Sequence, residues 1–268
     1  MTHDYRNYRI VAEAMAREAG AVLRDAYGRV DAREKGPADL VTEADLTSQR
    51  VIARRIAEAF PDHTLLAEEE GAVPDPSNSW RWIVDPLDGT MNFAHGFPFW
   101  CVSIALEHAG QLVVGVIHNP LTQETYSAAL GHGATLDGRA LAVSSERHLE
   151  RSLIATALPI DFAADADRQT AYMRRFSTRT HSLRRTGSSA LNLALLAAGA
   201  FEVCYATAMN PWDAAAGIVL VREAGGKVTR FSGAAHDLYD QEILATNGHT
   251  HPEAIAALAE AWPGASES

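Results

Sequence analysis

The chain has 268 residues, a length that accommodates one large domain or two small ones. Apolar residues make up 47% and charged residues 21% of the sequence, which is the composition of a folded globular protein and excludes wholesale disorder. Lysine plus arginine number 23 against 34 for aspartate plus glutamate, and the resulting net charge of −11 opposes non-specific binding to nucleic acid or to anionic membranes.

The N-terminal segment and the cysteines predict the cellular compartment. Charged residues interrupt the first thirty positions, so no apolar run there has the length of a signal-peptide core. No stretch approaches the ~18 uncharged apolar residues of a membrane span. Cys101 and Cys204 lie far apart and outside any metal-binding spacing, which argues against a disulfide scaffold or a zinc site. We therefore expect a cytoplasmic protein with no membrane partner.

Two helices are predicted at the start of the chain. Apolar residues recur every three or four positions over 8–26, which indicates an amphipathic helix. A second helix is predicted over about 42–60, because Thr42 and Asp45 have the spacing of a capping arrangement and Pro61 marks a stop. Asp45 then lies on the opening turn of that helix.

Short apolar runs follow and predict strands that are mostly antiparallel. They cover Thr64–Ala67, Trp82–Val84, Trp100–Leu106 and Leu112–Ile117. Ala109-Gly110, between the last two runs, is typical of a hairpin turn. The first 150 residues are therefore expected to form helices followed by a sheet.

After about residue 150 the pattern changes to an alternation of strands and helices. Strands are predicted near 153–157, 201–205, 227–231 and 242–246, and helices near 190–198, 211–223 and 252–262. Such alternation predicts layered sheets with helices between them, an α/β or α+β fold. Because no repeat or linker is evident, we expect a single unit of residues 1–268, in which an N-terminal half (1–150) and a C-terminal half (151–268) share an interface.

The clearest chemical motif is the segment Asp85-Pro86-Leu87-Asp88-Gly89-Thr90. Two carboxylates follow an apolar strand three residues apart, and the turn that Pro86 and Gly89 favour lets both point into one cleft. With the Leu87 carbonyl between them they form an oxygen-only ligand set, which suits a hard cation such as Mg²⁺. The alternative is an Asp-Pro/Asp-Gly turn whose side chains cap their own backbone.

Three further groups of acidic residues support the metal interpretation. Glu68-Glu69-Glu70 directly follows an apolar strand, Asp213 begins a predicted helix among small residues, and Asp39 and Asp45 flank the segment before another helix. Each group could instead be a solvated loop or a helix cap. Together they predict a pocket whose negative charge would be costly without bound cations.

The motifs also indicate a class of reaction. Mg²⁺ ions held by carboxylates suit phosphate chemistry, because they neutralise phosphoryl oxygens and lower the pKa of water. The sequence has no GxxxxGK[ST], GxSxG or HExxH motif, so a Walker-type nucleotide hydrolase, an esterase and a zinc protease are unsupported. It has no EF-hand loop either, which leaves a stoichiometric Mg²⁺ or Ca²⁺ carrier a weak interpretation.

These motifs resemble those of the inositol monophosphatase-like, lithium-sensitive, Mg²⁺-dependent phosphatases. Asp85-Pro86-Leu87-Asp88-Gly89-Thr90 is similar to the first signature of that family, and Trp212-Asp213-Ala214-Ala215-Ala216-Gly217 is similar to the second. Further segments in the same order are those around Asp45, Glu68-Glu69, Arg185-Thr186-Gly187-Ser188-Ser189 and Thr246-Asn247-Gly248. The resemblance extends from about residue 5 to residue 262.

The resemblance implies a fold and a metal site. The fold would be an α-β-α-β-α five-layered sandwich of the inositol monophosphatase/fructose-1,6-bisphosphatase type, usually assembled as a homodimer. Two or three Mg²⁺ ions would be bound by Glu68, Asp85, the Leu87 carbonyl, Asp88 and Asp213.

It also implies roles in hydrolysis without a phosphoenzyme. Asp45 and Thr90 would orient and deprotonate the attacking water, with Glu68 close to that water. The Gly89 and Thr90 amides would bind the phosphate of a small phosphorylated metabolite. The implied substrate-binding positions are Asp88, Gly89, Thr90, Ser189, Ala206 and Asp213.

One departure from the family pattern concerns the substrate. Inositol-specific relatives carry a glutamate seven residues before the second-signature aspartate, where it contacts inositol hydroxyls; here that position is Ala206. The leading hypothesis is a phosphomonoesterase for inositol 1-phosphate-like polyol phosphates. The alternatives are histidinol phosphate, 3′-phosphoadenosine 5′-phosphate and fructose 1,6-bisphosphate as substrates. An alternative of another class is a regulatory protein that contacts a transcription or RNA-processing partner.

Overall fold

The computed structural model describes residues 3–29, 32–36, 39–69 and 78–263, with the backbone alone described at 32–36 and 39–41. Its N-terminal elements are α1 (Arg6–Ala26), β1 (Ala32–Gly36), β2 (Asp39–Thr42) and α2 (Glu43–Ala59). The two predicted helices are therefore confirmed, whereas the antiparallel hairpin of β1 and β2 was not predicted. No helix in the described ranges is long and apolar enough to cross a membrane.

Helix α2 begins with the capping arrangement that the sequence predicts. The Thr42 hydroxyl accepts a hydrogen bond from the Ala44 N–H at 3.2 Å. The Asp45 carboxylate in turn accepts one from the Thr42 N–H at 2.9 Å. These bonds satisfy N–H groups that have no partner within the first turn of a helix, and they fix the orientation of Asp45.

The larger sheet has seven strands, which lie side by side in chain order. They are β3 (Thr64–Ala67), β4 (Trp80–Asp88), β5 (Cys101–His108), β6 (Gln111–Asn119), β7 (Glu124–Ala129), β8 (Ala134–Leu136) and β9 (Arg139–Ala140). β3 and β4 are parallel and the remaining pairs are antiparallel. The four predicted strands and the turn at Ala109-Gly110, where φ is positive at both residues, are confirmed.

The smaller sheet has five strands in the order β11-β10-β12-β14-β13. Its strands are β10 (Leu153–Ala157), β11 (Ser182–Arg185), β12 (Val203–Ala206), β13 (Lys227–Thr229) and β14 (Ile243–Thr246), and its helices are α4 (Ala166–Arg179), α5 (Ser189–Ala197), α6 (Pro211–Glu223) and α7 (His251–Ala261). β11, β10 and β12 are parallel. The predicted strands and helices are confirmed to within a few residues, and α4 and β11 are additional. The seven-stranded sheet lies before residue 150 in the chain and the five-stranded sheet lies after it. The division into halves of residues 1–150 and 151–268 remains a prediction.

The elements stack in five layers. Helices α1 and α2 cover one face of the seven-stranded sheet, and α5 and α6 pack between the two sheets. Helices α4 and α7 cover the outer face of the five-stranded sheet. Along β12 the side chains alternate between two cores, with Val203 and Tyr205 on the outer side and Cys204 and Ala206 on the inner side. The expected order α-β-α-β-α is confirmed.

Helix α6 makes close contacts with both neighbouring layers. All eight residues from Ala214 to Val221 are buried, because a helix between two sheets has no solvent-facing side. A Cβ atom on Gly115 of β6 would lie 2.3 Å from the Ala216 carbonyl oxygen. One on Gly217 would lie 2.4 Å from Leu193 of α5. The absence of side chains at Gly115 and Gly217 therefore allows the contacts that fix the position of α6.

Candidate active site

The site begins at the end of β4, where the sheet is irregular. Residues three apart on a regular strand point to opposite faces, so Asp85 and Asp88 would diverge. In the structure Asp85 pairs with Ser103 and Asp88 pairs with Cys101, which places one extra residue on β4. This bulge turns both carboxylates toward the same side. The strand then ends at Gly89, whose φ of 96° belongs to the left-handed region that glycine tolerates, and the short helix α3 (Thr90–Ala94) follows.

Three carboxylates converge at this point. Asp85 and Asp88 come from β4, and Asp213 comes from the first turn of α6. One oxygen from each lies within 4.8 Å of the others. Asp213 is oriented by Asn210, whose backbone N–H and side-chain amide donate to its carboxylate at 3.1 and 3.2 Å. The structure therefore brings together two motifs that are separated by 125 residues in the sequence.

Burial and mutual repulsion raise the pKa values of these carboxyl groups. The pKa of Asp85 is raised well above its usual value, mainly by burial and then by the charges of Glu68, Asp88 and Asp213. Burial and the Asp88 charge raise the pKa of Asp213 to about 7. Burial also raises the pKa of Asp88. Carboxylates crowded in this way are ionised at neutral pH only when positive charge compensates them.

A second polar group, formed by Asp45 and Thr90, adjoins the three carboxylates. The Thr90 hydroxyl lies 3.2 Å from Asp45 Oδ1 and 3.0 Å from the Leu87 carbonyl oxygen, either of which can accept its proton. The Thr42 hydroxyl and N–H hold the other oxygen of Asp45. Asp45 is completely buried, and burial raises its pKa. Thr90 therefore links a buried carboxylate to the backbone of the metal motif.

Glu68 lies at the end of β3, next to the end of β4. Its backbone N–H donates to the Val84 carbonyl at 3.3 Å, and its side chain is half-buried and lines the cleft. Its charge contributes to the raised pKa of Asp85. Glu70 and the side chain of Asp39, two of the acidic residues noted in the sequence, lie outside the described residues.

These groups line a cleft of about 190 Å³. Its polar wall consists of Glu68, Asp88, Gly89, Thr90, Gly187, Ser189, Asn210 and Asp213. The apolar lining residues, which form the apolar wall, are Met91, Ala157, Leu158, Pro159, Ile160 and Ala208. Asp85 and Leu87 are buried beneath the polar wall. No described residue that lines the cleft is basic.

Ala206 does not line this cleft. It is 4% exposed, lies on the inner side of β12 and borders a separate cavity of about 10 Å³. Ser189 borders both spaces. Of the substrate-binding positions expected from the sequence, Ala206 is therefore the one that the structure places apart from the others.

Residues 4–262 match the model of the inositol monophosphatase family. The chain belongs to this family. The inositol-1-monophosphatase of Synechocystis sp. is 41% identical to it over 96% of this chain and 90% of the relative. The fructose-1,6-bisphosphatase/inositol-1-monophosphatase of Thermotoga maritima is 38% identical over 92% of this chain and 93% of the relative. The solved structure of the extragenic suppressor protein suhB from Bartonella henselae has a TM-score of 0.87 and 38% identity, and the match covers 92% of this chain and 96% of that one.

This inositol monophosphatase family member is accordingly a phosphomonoesterase, a hydrolase of phosphate esters. Members of the family in general depend on Mg²⁺. The donor set fits that ion, because Asp85, Asp88 and Asp213 offer carboxylate oxygens and no histidine or cysteine is among the described residues that line the cleft. Because burial and mutual repulsion raise the pKa values of Asp85 and Asp213, a bound cation would stabilise their ionised forms.

Some site residues were not predicted from the sequence. Asn210 precedes Asp213 by three positions, the same spacing that links Thr42 to Asp45, so a search for capping boxes would have found it. The apolar wall, including the exposed side chains of Met91 and Ile160, has no sequence signal, because only the fold brings α3 and the loop after β10 together.

Proposed function

We propose that the protein hydrolyses a small phosphomonoester with the help of two or three Mg²⁺ ions, and that inositol 1-phosphate-like polyol phosphates are the first candidate substrates. The observation that carries this proposal is the convergence of Asp85, Asp88 and Asp213 within 4.8 Å beside the Asp45–Thr90 pair. The cations would be held by Glu68, Asp85, the Leu87 carbonyl, Asp88 and Asp213. When bound, they supply charge that neutralises the phosphoryl and leaving oxygens and makes water more acidic.

The protein's own groups would then move the proton. Thr90 bonds to Asp45 Oδ1, so its hydroxyl can accept the proton of the attacking water while it gives its own proton to Asp45. The raised pKa of Asp45 makes this carboxylate a better base than an exposed aspartate. Glu68, on the same wall of the cleft, would help to orient the water. No covalent phosphoenzyme is required.

The remaining cleft residues would bind the substrate. The Gly89 and Thr90 amides, at the turn into α3, would hold the phosphate, as the family resemblance suggests. The apolar wall and Ser189 would contact the alcohol. Because no described lining residue is basic, an uncharged or cationic alcohol fits better than one that carries a second phosphate.

The alternatives remain within the same chemistry. Histidinol phosphate, 3′-phosphoadenosine 5′-phosphate and fructose 1,6-bisphosphate are the other candidate substrates, and the Thermotoga maritima relative is named for fructose 1,6-bisphosphate as well as inositol 1-phosphate. A regulatory protein for a transcription or RNA-processing partner is not favoured, because a pure binding protein has no use for this costly cluster of charge. A homodimer and a cytoplasmic location complete the proposal.

The test is phosphate release from all four candidate substrates with and without Mg²⁺, with Asp88→Asn as the control. We expect Mg²⁺-dependent release from at least one substrate and loss of it in the variant. The order of kcat/KM values then identifies the substrate. No release from any of the four by a folded protein that binds Mg²⁺ would overturn the proposal.

A further inference from the structure

The carboxylate of Asp88 is bound on one side by the N-terminus of helix α5. Ser188 donates its hydroxyl proton to Asp88 Oδ2. The Ala190 N–H donates to the same oxygen at 2.9 Å, and the Ser189 N–H donates to Oδ1 at 3.2 Å. The Cys101 thiol approaches Oδ2 at 3.6 Å. A residue of the first signature is thus fixed by a helix whose N-cap, Ser188, lies 100 residues later in the chain.

The two oxygens of Asp88 have different numbers of donors. Oδ2 is within bonding distance of three donors, from Ser188, Ala190 and Cys101. Among the described residues, Oδ1 accepts a bond from the Ser189 N–H. A carboxylate oxygen has two lone pairs, so Oδ1 retains acceptor capacity and Oδ2 does not. Since Asp88 lines the cleft, the protein leaves Oδ1 as the oxygen that can bind a cation.

Ser188 couples this arrangement to the helix. Its hydroxyl oxygen accepts a hydrogen bond from the Leu191 N–H at 3.3 Å, which makes it the N-cap of α5. The same hydroxyl donates its single proton to Asp88. Its orientation is therefore fixed both by the bond it donates and by the bond it accepts. Ser188 is 1% exposed and does not line the cleft, so water cannot readily replace it.

We propose that Ser188 is a positioning residue for the metal site: its hydroxyl holds Asp88 Oδ2 at the N-terminus of α5 and so presents Oδ1 to the cation in the cleft. This inference rests on the proposed function, because it takes Asp88 as a Mg²⁺ ligand. Hydrogen-bond partners of metal ligands commonly determine affinity in this way, with losses of about 10- to 100-fold on substitution. Ser188 itself touches neither the cation nor the substrate.

The experiment is a calorimetric titration of the metal-stripped full-length chain with Mg²⁺, in the absence of substrate. We expect Ser188→Ala to raise the Kd for Mg²⁺ about tenfold or more. Ser188→Thr, which keeps the hydroxyl, should bind Mg²⁺ within about threefold of the unmodified protein. Tm values of the metal-free variants are measured in parallel, because loss of an N-cap lowers stability by itself.

Ser152→Ala is the matched control. Ser152 is completely buried, its hydroxyl donates to the His148 carbonyl at 3.1 Å, and it is not among the residues that line the cleft. Its substitution should lower the Tm and leave the Kd for Mg²⁺ unchanged. The same result for Ser188→Ala, a lower Tm with an unchanged Kd, would overturn the positioning role and leave the proposed function intact. If the unmodified protein does not bind Mg²⁺, the proposed function itself is wrong.

Discussion

Asp85 and Asp88 lie on the same strand, are both buried and face the same cleft, yet the protein compensates their charges differently. Asp88 accepts hydrogen bonds from the N-terminus of α5, and these bonds lower a pKa that burial raises. Asp85 accepts a hydrogen bond from the Leu87 N–H at 2.9 Å. Burial raises its pKa, and the charges of Glu68, Asp88 and Asp213 raise it further.

The difference separates two tasks of a metal site. Hydrogen bonds that are present before the cation binds fix the geometry of Asp88, so little reorganisation is needed on binding. In the proposed metal site the charge near Asp85 would provide the attraction, because a bound cation would relieve repulsion that the fold alone does not. Three predictions, in order of decreasing effect, test this comparison.

The largest effects are expected from Asp85→Asn and Asp88→Asn. Each should reduce Mg²⁺-dependent activity by about 10³-fold or more, because each removes a charged ligand. In EDTA the two should differ in stability. Asp85→Asn removes a buried carboxyl group whose raised pKa costs the metal-free protein stability above the pKa of the unfolded state, and it should raise the Tm by about 2–4 °C for each kcal/mol gained. Asp88→Asn should lower it, because an amide has one acceptor oxygen where the carboxylate has two, so its NH₂ group would face at least one N–H donor of α5.

Thermal unfolding of both metal-free variants at pH 8 provides the measurement. A metal-free Tm that rises equally in both variants would show that the α5 donors do not compensate Asp88. In that case the comparison between the two carboxylates would fail, whatever the activities of the variants.

The second prediction concerns pH and Asp213. Two donors of Asn210 bind its carboxylate, so the number of its donors lies between those of Asp85 and Asp88. Its pKa is raised from 3.8 to about 7. In this range the folded state holds a proton that the unfolded state has lost, so raising the pH lowers stability. Asp213 should therefore lower the Tm of the metal-free protein as the pH rises from about 4 to about 7.

The Tm of Asp213→Asn should fall less than that of the unmodified protein over the same pH range. Calorimetric scans at four or five pH values measure both slopes. Saturating Mg²⁺ should flatten or reverse the slope for the unmodified protein, because cation binding favours the ionised carboxylates. Equal slopes for the two proteins in EDTA would contradict the assignment to Asp213.

The smallest effect is expected from Ser48→Ala. Ser48 of α2 is completely buried, and its hydroxyl donates to the Pro86 carbonyl at 2.9 Å, inside the bulge between Asp85 and Asp88. Loss of this bond should cost about 1 kcal/mol, or about 2–4 °C in Tm, and reduce activity by less than tenfold. Ser152→Ala should lower the Tm similarly with full activity; the same pattern for Ser48→Ala would show that the bulge does not depend on Ser48.

Much of the fold could be predicted from the sequence, because regular hydrophobic patterns mark most of its elements. Helix α2 has both a periodic face and a capping box, and β3 to β6 are short apolar runs. Helix α4 was not predicted, because Tyr172 and Phe176 are its only large buried side chains in an otherwise polar segment. The edge strand β11 has the polar sequence Ser-Leu-Arg-Arg, and its strand form depends on pairing with β10 rather than on its own pattern.

The site was predictable in its residue types but not in its geometry. The spacing of Asp85 and Asp88 indicated a shared cleft, whereas a regular strand would have separated them; the bulge that reconciles the two depends on pairing with β5. The position of Ala206 was matched by spacing to a substrate contact. The alternation of β12 side chains instead turns it into the inner core, and that direction depends on strand register, which spacing alone does not specify.

The burial of α6 between two sheets has a consequence for how the site opens. Its residues from Ala214 to Val221 are shielded on every side, so their amide hydrogens can exchange with solvent only when both sheets separate. Asp213 lies at the head of this slowly exchanging helix, whereas the apolar wall of the cleft includes the exposed side chain of Ile160. Under the proposed function, local motions of the apolar wall would adjust the contact with the alcohol of the substrate without moving Asp213.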